Sequence, residues 1–382
     1  MRVLFVINSL GAGGTERSLS ELVGPLADLG VECSFLCLES RPGVEDEVRS
    51  AGATVEVLGT GSPLRAVAGV RARIRAIRPD IVQSALFEAD VFTRLAAVAS
   101  GVAVMGSLVN GSYEPIRLAD PNVTHWRLDA TRRIDGWTGR HLVDHFHAVS
   151  RFAKDSAERH LGIDSSRITV VERGRDVGRL GEPGLARRHR ARQELGIDAG
   201  RLVIVSVGRH EFQKDQLSLL RSLRRLEHRD DWTTLIAGRT GNATGHLERE
   251  LETSPVRDRI RLLGQRDDVP EVLAAADLFV CTSRFEGIPG AMIEAMAMAL
   301  PVITTDIPPV FEVVEPGVNA ELVPVGDSEA LACRIEAVLD DAERRQKMGA
   351  RGREIFTERF TLEQSAARMA ELYRQVKRDK VA

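Results

Sequence analysis

Leu278-Phe279-Val280-Cys281 is a short apolar run of the kind that forms a strand buried on both faces of a parallel sheet. A loop with Gly287, Pro289 and Gly290 follows, and then an Ala- and Met-rich stretch, 291–300, that reads as a helix. A strand passing through such a loop into a helix is the repeating joint of doubly wound α/β architecture. Two carboxylates, Glu286 and Glu294, flank this joint. On an unbroken helix eight residues would set them about 80° apart. Pro289 and the glycines forbid that, so the loop is free to bring both acids to one site. The open N-terminus of the following helix offers unpaired N–H groups and a partial positive charge. Two acids beside such an end suit a ligand with both hydroxyls and phosphates, and a nucleotide sugar is one.

The joint recurs. Residues 3–7 are an apolar strand that breaks into Gly11-Ala12-Gly13-Gly14-Thr15-Glu16 and then an amphipathic helix to about residue 29. A dinucleotide fingerprint needs a third glycine where Glu16 stands, so a dehydrogenase reading fails. Residues 202–207 form another apolar strand, followed by Gly208-Arg209 and, five residues on, Lys214. With 382 residues, the chain suits two domains rather than one core.

Together these stretches resemble the retaining glycosyltransferases of family 4, which have the GT-B fold. Glu286 and Glu294 with Thr282-Ser283 and Glu294-Ala295-Met296-Ala297 are similar to the family's E-x7-E signature, and Leu300-Pro301-Val302-Ile303-Thr304, Phe311-Glu312-Val313-Val314 and Leu322-Val323-Pro324 follow in the family's order. Gly13-Gly14-Thr15-Glu16 resembles its G-G-x-E loop, and Gly208-Arg209 with Lys214 its G-R-x-x-x-x-K motif. The resemblance implies two Rossmann-like α/β domains facing across an inter-domain cleft. The first is expected at 1–178, with a C-terminal helix, 360–382, crossing back onto it; the nucleotide-sugar domain is expected at 195–358. It further implies transfer of a hexose from a nucleoside diphosphate sugar, most commonly a UDP sugar, to an acceptor hydroxyl, with retention at the anomeric carbon.

Residue by residue, the resemblance assigns Arg209 and Lys214 to the donor diphosphate, Glu286 to donor-sugar hydroxyls and Glu294 to the ribose. Gly13, Gly14 and Gly208 let backbone approach the donor. Gly287, Ile288, Pro289, Gly290 and Ala291 hold phosphate or sugar oxygens, and the 264–266 loop, with Arg266, meets the nucleobase. Fixed cations beside a diphosphate leaving group stabilise charge that grows as the glycosidic bond breaks. The chain also departs from the family. Gln83 and Ala85 replace both histidines of a His-x-His strand end, and Val109-Asn110 stands where many relatives carry a histidine, leaving the Asn110 amide as its nearest substitute. Glu172-Arg173-Gly174-Arg175-Asp176 replaces the usual Pro-Asn-Gly-Val-Asp.

Composition narrows the partners. A net charge of −3 gives no reason to expect nucleic acid. No apolar run reaches the length that spans a bilayer, and residues 1–6 are too short an apolar run for a signal peptide, so a cytoplasmic enzyme is expected. The four cysteines lack metal or disulfide spacing. His145 and His147 share a strand-like run and His141 falls on a different element, so the three do not read as a metal site, nor does Asp267-Asp268; no metal or other cofactor is expected. Residues 111–140 look polar and irregular and belong to the acceptor side. The run Arg187-Arg188-His189-Arg190 reads as a solvated helix face. A helix at 64–78 carries arginines at 65, 71, 73, 75 and 78; this suits a solvated crossover helix, with weak membrane association as the other reading. The acceptor is a saccharide, a natural product or a lipid-linked glycan. A nucleotide-sugar epimerase of GT-B fold and a non-catalytic nucleotide-sugar-binding partner protein are the alternatives.

Overall fold

The structure is a computed structural model that describes residues 1–11, 13–59 and 61–381. Ala12 of the first glycine loop and the last residue of the expected 360–382 helix lie outside the described residues. The chain forms two compact units, one of Met1–Asp176 with Phe360–Ala382 and one of Val177–Arg359.

The first unit is built on a parallel sheet of β1 (Arg2–Ile7), β2 (Glu32–Cys37), β3 (Thr54–Val57), β4 (Ile81–Ala85), β5 (Ala103–Leu108), β6 (His145–Ala148) and β7 (Ile168–Val170), ordered β3-β2-β1-β4-β5-β6-β7. Val3, Phe5 and Ile7 of β1 are buried with Phe35, Met105 and the inner face of helix Leu362–Val381, through Met369, Leu372, Tyr373 and Val376. That C-terminal helix thus completes the first unit's core. It starts close to the main chain of Gly174, where a Cβ would lie 2.3 Å from Thr361 O; only glycine permits the approach.

The second unit has β8 (Leu202–Val207), β9 (Trp232–Ala237), β10 (Ile260–Gly264), β11 (Leu278–Cys281), β12 (Val302–Thr305) and β13 (Ala320–Val323), ordered β10-β9-β8-β11-β12-β13 and parallel throughout. In each unit the strand order reverses once, between β1 and β4 and between β8 and β11. Ligands of doubly wound sheets bind beyond the carboxyl ends of the strands at such switch points.

Two expectations are corrected. Residues 111–140 are not irregular: a 3-10 turn, Pro115–Ala119, precedes an 18-residue α-helix, His125–Leu142. The helix buries Asp135, Gly136, Thr138 and Gly139. With polar and small residues on its inner face it shows no apolar stripe, the usual sign of an amphipathic helix. Nor is the 187–190 run simply solvated. Arg187 pairs with Glu271 at 2.7 Å and Arg188 with Asp277, clamping helix Leu185–Glu194 onto the second unit, while His189 and Arg190 are exposed.

Candidate functional site

At the β8/β11 switch point the ends of both strands meet through side chains. After β8 the chain turns at Gly208; Gly238 lies so close that a Cβ there would fall 1.9 Å from Gly208 O. Gln216 Nε2 donates to Gly208 O (2.9 Å) and Arg209 O (3.1 Å), fixing the loop from below. Lys214 then reaches across to the loop after β11, where its ammonium pairs with Glu286. Glu286 is buried and accepts from Ser283 Oγ at 2.7 Å, while Gln213 Nε2 donates to Phe285 O at 2.9 Å. Thr282 Oγ1 donates to Lys214 O at 2.9 Å, and Arg284 pairs with Asp215 at 2.8 Å while covering the Phe212 ring. Asp215 holds a left-handed backbone at φ 45°, a strained state for a residue other than glycine. The two loops are therefore tied at several points around one lysine–carboxylate pair. Arg209 is half-exposed, with its nearest carboxylate, Glu211, at 3.7 Å.

Helix Gly290–Ala297 starts with Pro289 as its N-cap. Its first bonded N–H is that of Met292, to Pro289 O at 3.1 Å, so the Gly290 and Ala291 N–H groups have no intrahelical partner. Ile288 is buried and Gly287 continues the loop. Glu294 is buried and paired with Arg179 at 2.9 Å. The two signature acids thus each have their own cation. Sequence reasoning missed Arg179, which sits in the short helix Val177–Leu180 and matches no pattern. Arg266 is turned onto Asp268, which it grips as a salt bridge.

Gly13, Gly14 and Asn110 belong to the first unit. Gly13 is the N-cap of helix Gly14–Asp28 and Gly14 its first residue; no side chain caps this end, that of Thr15 included. Its hydroxyl accepts from Arg173 at 3.2 Å instead. Gln83, in place of a family histidine, is buried between two partners: Tyr373 Oη donates to its Oε1 at 2.5 Å, and its Nε2 donates to Ser107 Oγ at 2.8 Å. Gln83 thus holds the C-terminal helix to the sheet. His145 and His147 sit on β6, engaging Thr169 Oγ1 and Val171 O, each at 2.9 Å. Burial holds the His147 imidazole neutral, its pKa lowered to about 4.

Asn110 faces a cavity of about 200 Å³ beyond the ends of β4 and β5. A buried charge network lines it. Arg94 Nη1 donates to Asp135 Oδ1 at 2.6 Å and Thr138 Oγ1 at 2.9 Å. Asp90 Oδ1 accepts from Ser84 Oγ at 2.6 Å, and Tyr113 Oη donates to Asp135 Oδ2 at 2.8 Å. Burial pushes the Asp90 carboxyl up to about 7, against the opposing pull of Arg94.

Two family profiles cover most of the chain. The one described as Glycosyltransferase Family 4 matches residues 12–179, and the one described as Glycosyl transferases group 1 matches residues 187–355. The chain belongs to the GT-B glycosyltransferases. Among curated relatives, the putative glycosyltransferase EpsF of Bacillus subtilis is 26% identical over 80% of this chain and 79% of its own length. The lipopolysaccharide core biosynthesis mannosyltransferase LpsB of Rhizobium meliloti is 31% identical over 39% of this chain. The match spans 44% of LpsB, and 32% of the N-acetyl-alpha-D-glucosaminyl L-malate synthase of Bacillus anthracis. The fold of this glycosyltransferase is similar to that of Anabaena HepE, solved in complex with UDP and glucose, with a TM-score of 0.86 at 22% identity over 97% of this chain and 99% of that one. The sucrose-phosphate synthase of Thermosynechococcus elongatus has a TM-score of 0.84 at 18% identity, covering 98% and 99%. No helix of the glycosyltransferase, among the described residues, is long and apolar enough to cross a membrane.

Proposed function

We propose that the protein transfers a hexose from a nucleoside diphosphate sugar to a saccharide hydroxyl, with retention and without a metal ion. The observation that carries this reading is the Lys214–Glu286 pair at the β8/β11 switch point, with Arg209 half-exposed on the same loop and open helix N–H groups at Gly290 and Ala291. Cations there neutralise a diphosphate, the acid receives sugar hydroxyls, and the helix end holds oxygens. In the reaction the bond from the anomeric carbon to the diphosphate oxygen breaks. A bond to the acceptor oxygen forms on the same face, and the acceptor proton passes to the departing phosphate oxygen. Charge accumulates on the diphosphate in the transition state, so Lys214 and Arg209 act more strongly there than in the ground state. Glu294, oriented by Arg179, takes the ribose hydroxyls. HepE, crystallised with UDP, supports uridine as the base.

Calorimetry with UDP and GDP on the wild type and Lys214→Ala tests the donor site. Binding of one nucleotide is expected to weaken about tenfold or more in the variant, the worth of a charge-assisted contact. Equal affinity in both proteins sinks the assignment. Anomeric NMR of the first-formed product reports retention, and acceptor-dependent turnover separates transfer from epimerisation or passive binding. The acceptor reading includes lipid-linked glycans on the cytoplasmic side. Leu64, Arg65, Arg75 and Arg78 are exposed, whereas Arg71 and Arg73 are held by Ala96 O and Glu56. Three free cations support only weak, salt-sensitive attraction to anionic vesicles, which co-sedimentation measures.

A further inference from the structure

A hollow of about 740 Å³ lies at the amino ends of β4 and β5, the end of the sheet opposite the one where doubly wound folds take their ligands. Its walls are helix Pro63–Ile77, the turn leading into β5 and the last turns of helix Leu362–Val381. Five cations line it, Arg71, Arg75, Arg78, Lys377 and Lys380, against one acid, Asp80. Asp80 is engaged by Lys377 at 2.9 Å, and Lys380 is held by Asp144 at 2.8 Å. The three guanidiniums have no carboxylate partner among the described residues. Residues 71, 75 and 78 share one face of the helix, where like charges three and four residues apart repel. Arg71 is fixed in place: its Nε and Nη2 donate to Ala96 O (3.0 Å) and Leu95 O (3.1 Å) at the end of helix Phe87–Ala97, which leaves the Nη1 edge for a ligand. Arg75 and Arg78 are exposed. Arg78 closes its helix at φ 49° and ψ 57°, a left-handed position that glycine ordinarily takes. An arginine kept there against backbone strain brings its charge to the rim.

Charge and shape select the ligand. A monoanion answers one guanidinium and leaves two, whereas a compact polyanion answers all three. Phosphate oxygens match the guanidinium fork better than any other common anion group except a carboxylate, and carry more charge in less space. The volume falls within the ~300–1,000 Å³ of small-ligand sites. Among the described residues no aromatic ring lines the hollow to stack a nucleobase, so recognition falls on the phosphates themselves. A hollow encloses a compact soluble ligand more fully than the flat surface of a bilayer.

We propose that this hollow is a second ligand site, separate from the transfer reaction, for a soluble anion carrying two or more phosphate groups. Bound there, the anion bridges three segments distant in the chain and stabilises the first unit, as any ligand of the folded state alone does. The test titrates tripolyphosphate into the full chain by calorimetry at about 0.15 M salt, where scattered surface charges are largely screened. Excess UDP is present to fill a donor diphosphate site. Arg75→Gln combined with Arg78→Gln is expected to weaken binding about tenfold or more, with UDP affinity unchanged. Arg65→Gln, exposed on the same helix but outside the hollow, removes an equivalent charge and is expected to change binding by less than about twofold. Tripolyphosphate is expected to raise the melting temperature of the wild type and not that of the double variant. No binding by the wild type, equal affinity in the double variant, or as large a loss in Arg65→Gln overturns the site. Equal affinity for citrate overturns the phosphate assignment, and displacement by phosphatidylglycerol vesicles overturns the soluble ligand in favour of a membrane surface. Failure of UDP to bind overturns the transferase reading alone, since Arg75 and Arg78 report on the hollow without it.

Discussion

His147 ties the stability of the first unit to pH in a way that can be isolated. Its Nε2 lies 2.9 Å from Val171 O; a carbonyl only accepts, so Nε2 carries a hydrogen. Burial, reinforced by Arg173, lowers its folded pKa from 6.5 to about 4. The sign follows from linkage. Above pH 6.5 neither state is protonated and the group has no effect. Between 6.5 and 4 the unfolded chain takes up a proton that the folded one refuses, so stability falls with pH and levels off below 4. At about 1.4 kcal/mol per unit the full loss is about 3 kcal/mol, of which about 2 kcal/mol is reached at pH 5. Asp90 works in the opposite direction: its raised pKa lets the folded state hold a proton the unfolded one has lost, so its contribution declines as pH rises from about 4 to about 7. The wild-type curve therefore mixes the two, and a difference is required. His147→Leu keeps the side chain apolar and removes only the imidazole titration, along with a pH-independent hydrogen bond. Native-state hydrogen exchange of the β6 and β7 amides, corrected for intrinsic rates, gives the opening free energy of this unit at pH 7, 6 and 5. The gap between variant and wild type is expected to shift by about 2 kcal/mol toward the variant between pH 7 and 5. Parallel curves would refute the reasoning.

Other perturbations follow from single contacts. Tyr373→Phe leaves Gln83 Oε1 without its 2.5 Å donor inside the core and is expected to destabilise the first unit by about 1–3 kcal/mol, read by urea unfolding. Gly174→Ala places a Cβ against Thr361 O, which is main chain and cannot swing aside; a loss of about 1–3 kcal/mol is expected, with faster exchange in helix Leu362–Val381. Glu286→Gln keeps an acceptor for Ser283 but cancels the pair with Lys214; turnover is expected to fall tenfold or more, while UDP, which lacks the sugar, binds at least as well. Arg179→Ala removes the 2.9 Å partner of Glu294 and is expected to weaken UDP about tenfold, with Arg179→Lys intermediate, by calorimetry.

What the sequence made legible is what the backbone needs. Gly208, the Gly287–Gly290 loop and the apolar runs at β8 and β11 announce strand–loop–helix joints, and the switch-point rule then brings Lys214 and Glu286 together although 72 residues separate them. Side-chain partnerships without a local signature stayed hidden. Arg179 lies in a four-residue helix, too short to show any period, so its hold on Glu294 had no trace in the pattern. Helix His125–Leu142 shows no helical pattern in the sequence because hydrophobic periodicity assumes an apolar inner face, whereas this one turns Asp135 and Thr138 inward.

The same blindness covers Asp90 and Arg94. Four residues apart on helix Phe87–Ala97, they look like any solvent-exposed i,i+4 pair, worth a few tenths of a kcal/mol. Only the fold shows that both are buried, that Asp135 from another helix joins them, and that Arg94 retains an unused N–H beside an open cavity. Charge is placed in a protein interior at a cost that packing alone does not justify. In this chain the network lies in the first unit, where Gln83, Ala85 and Asn110 stand in place of the family's histidines and Asn110 borders the cavity.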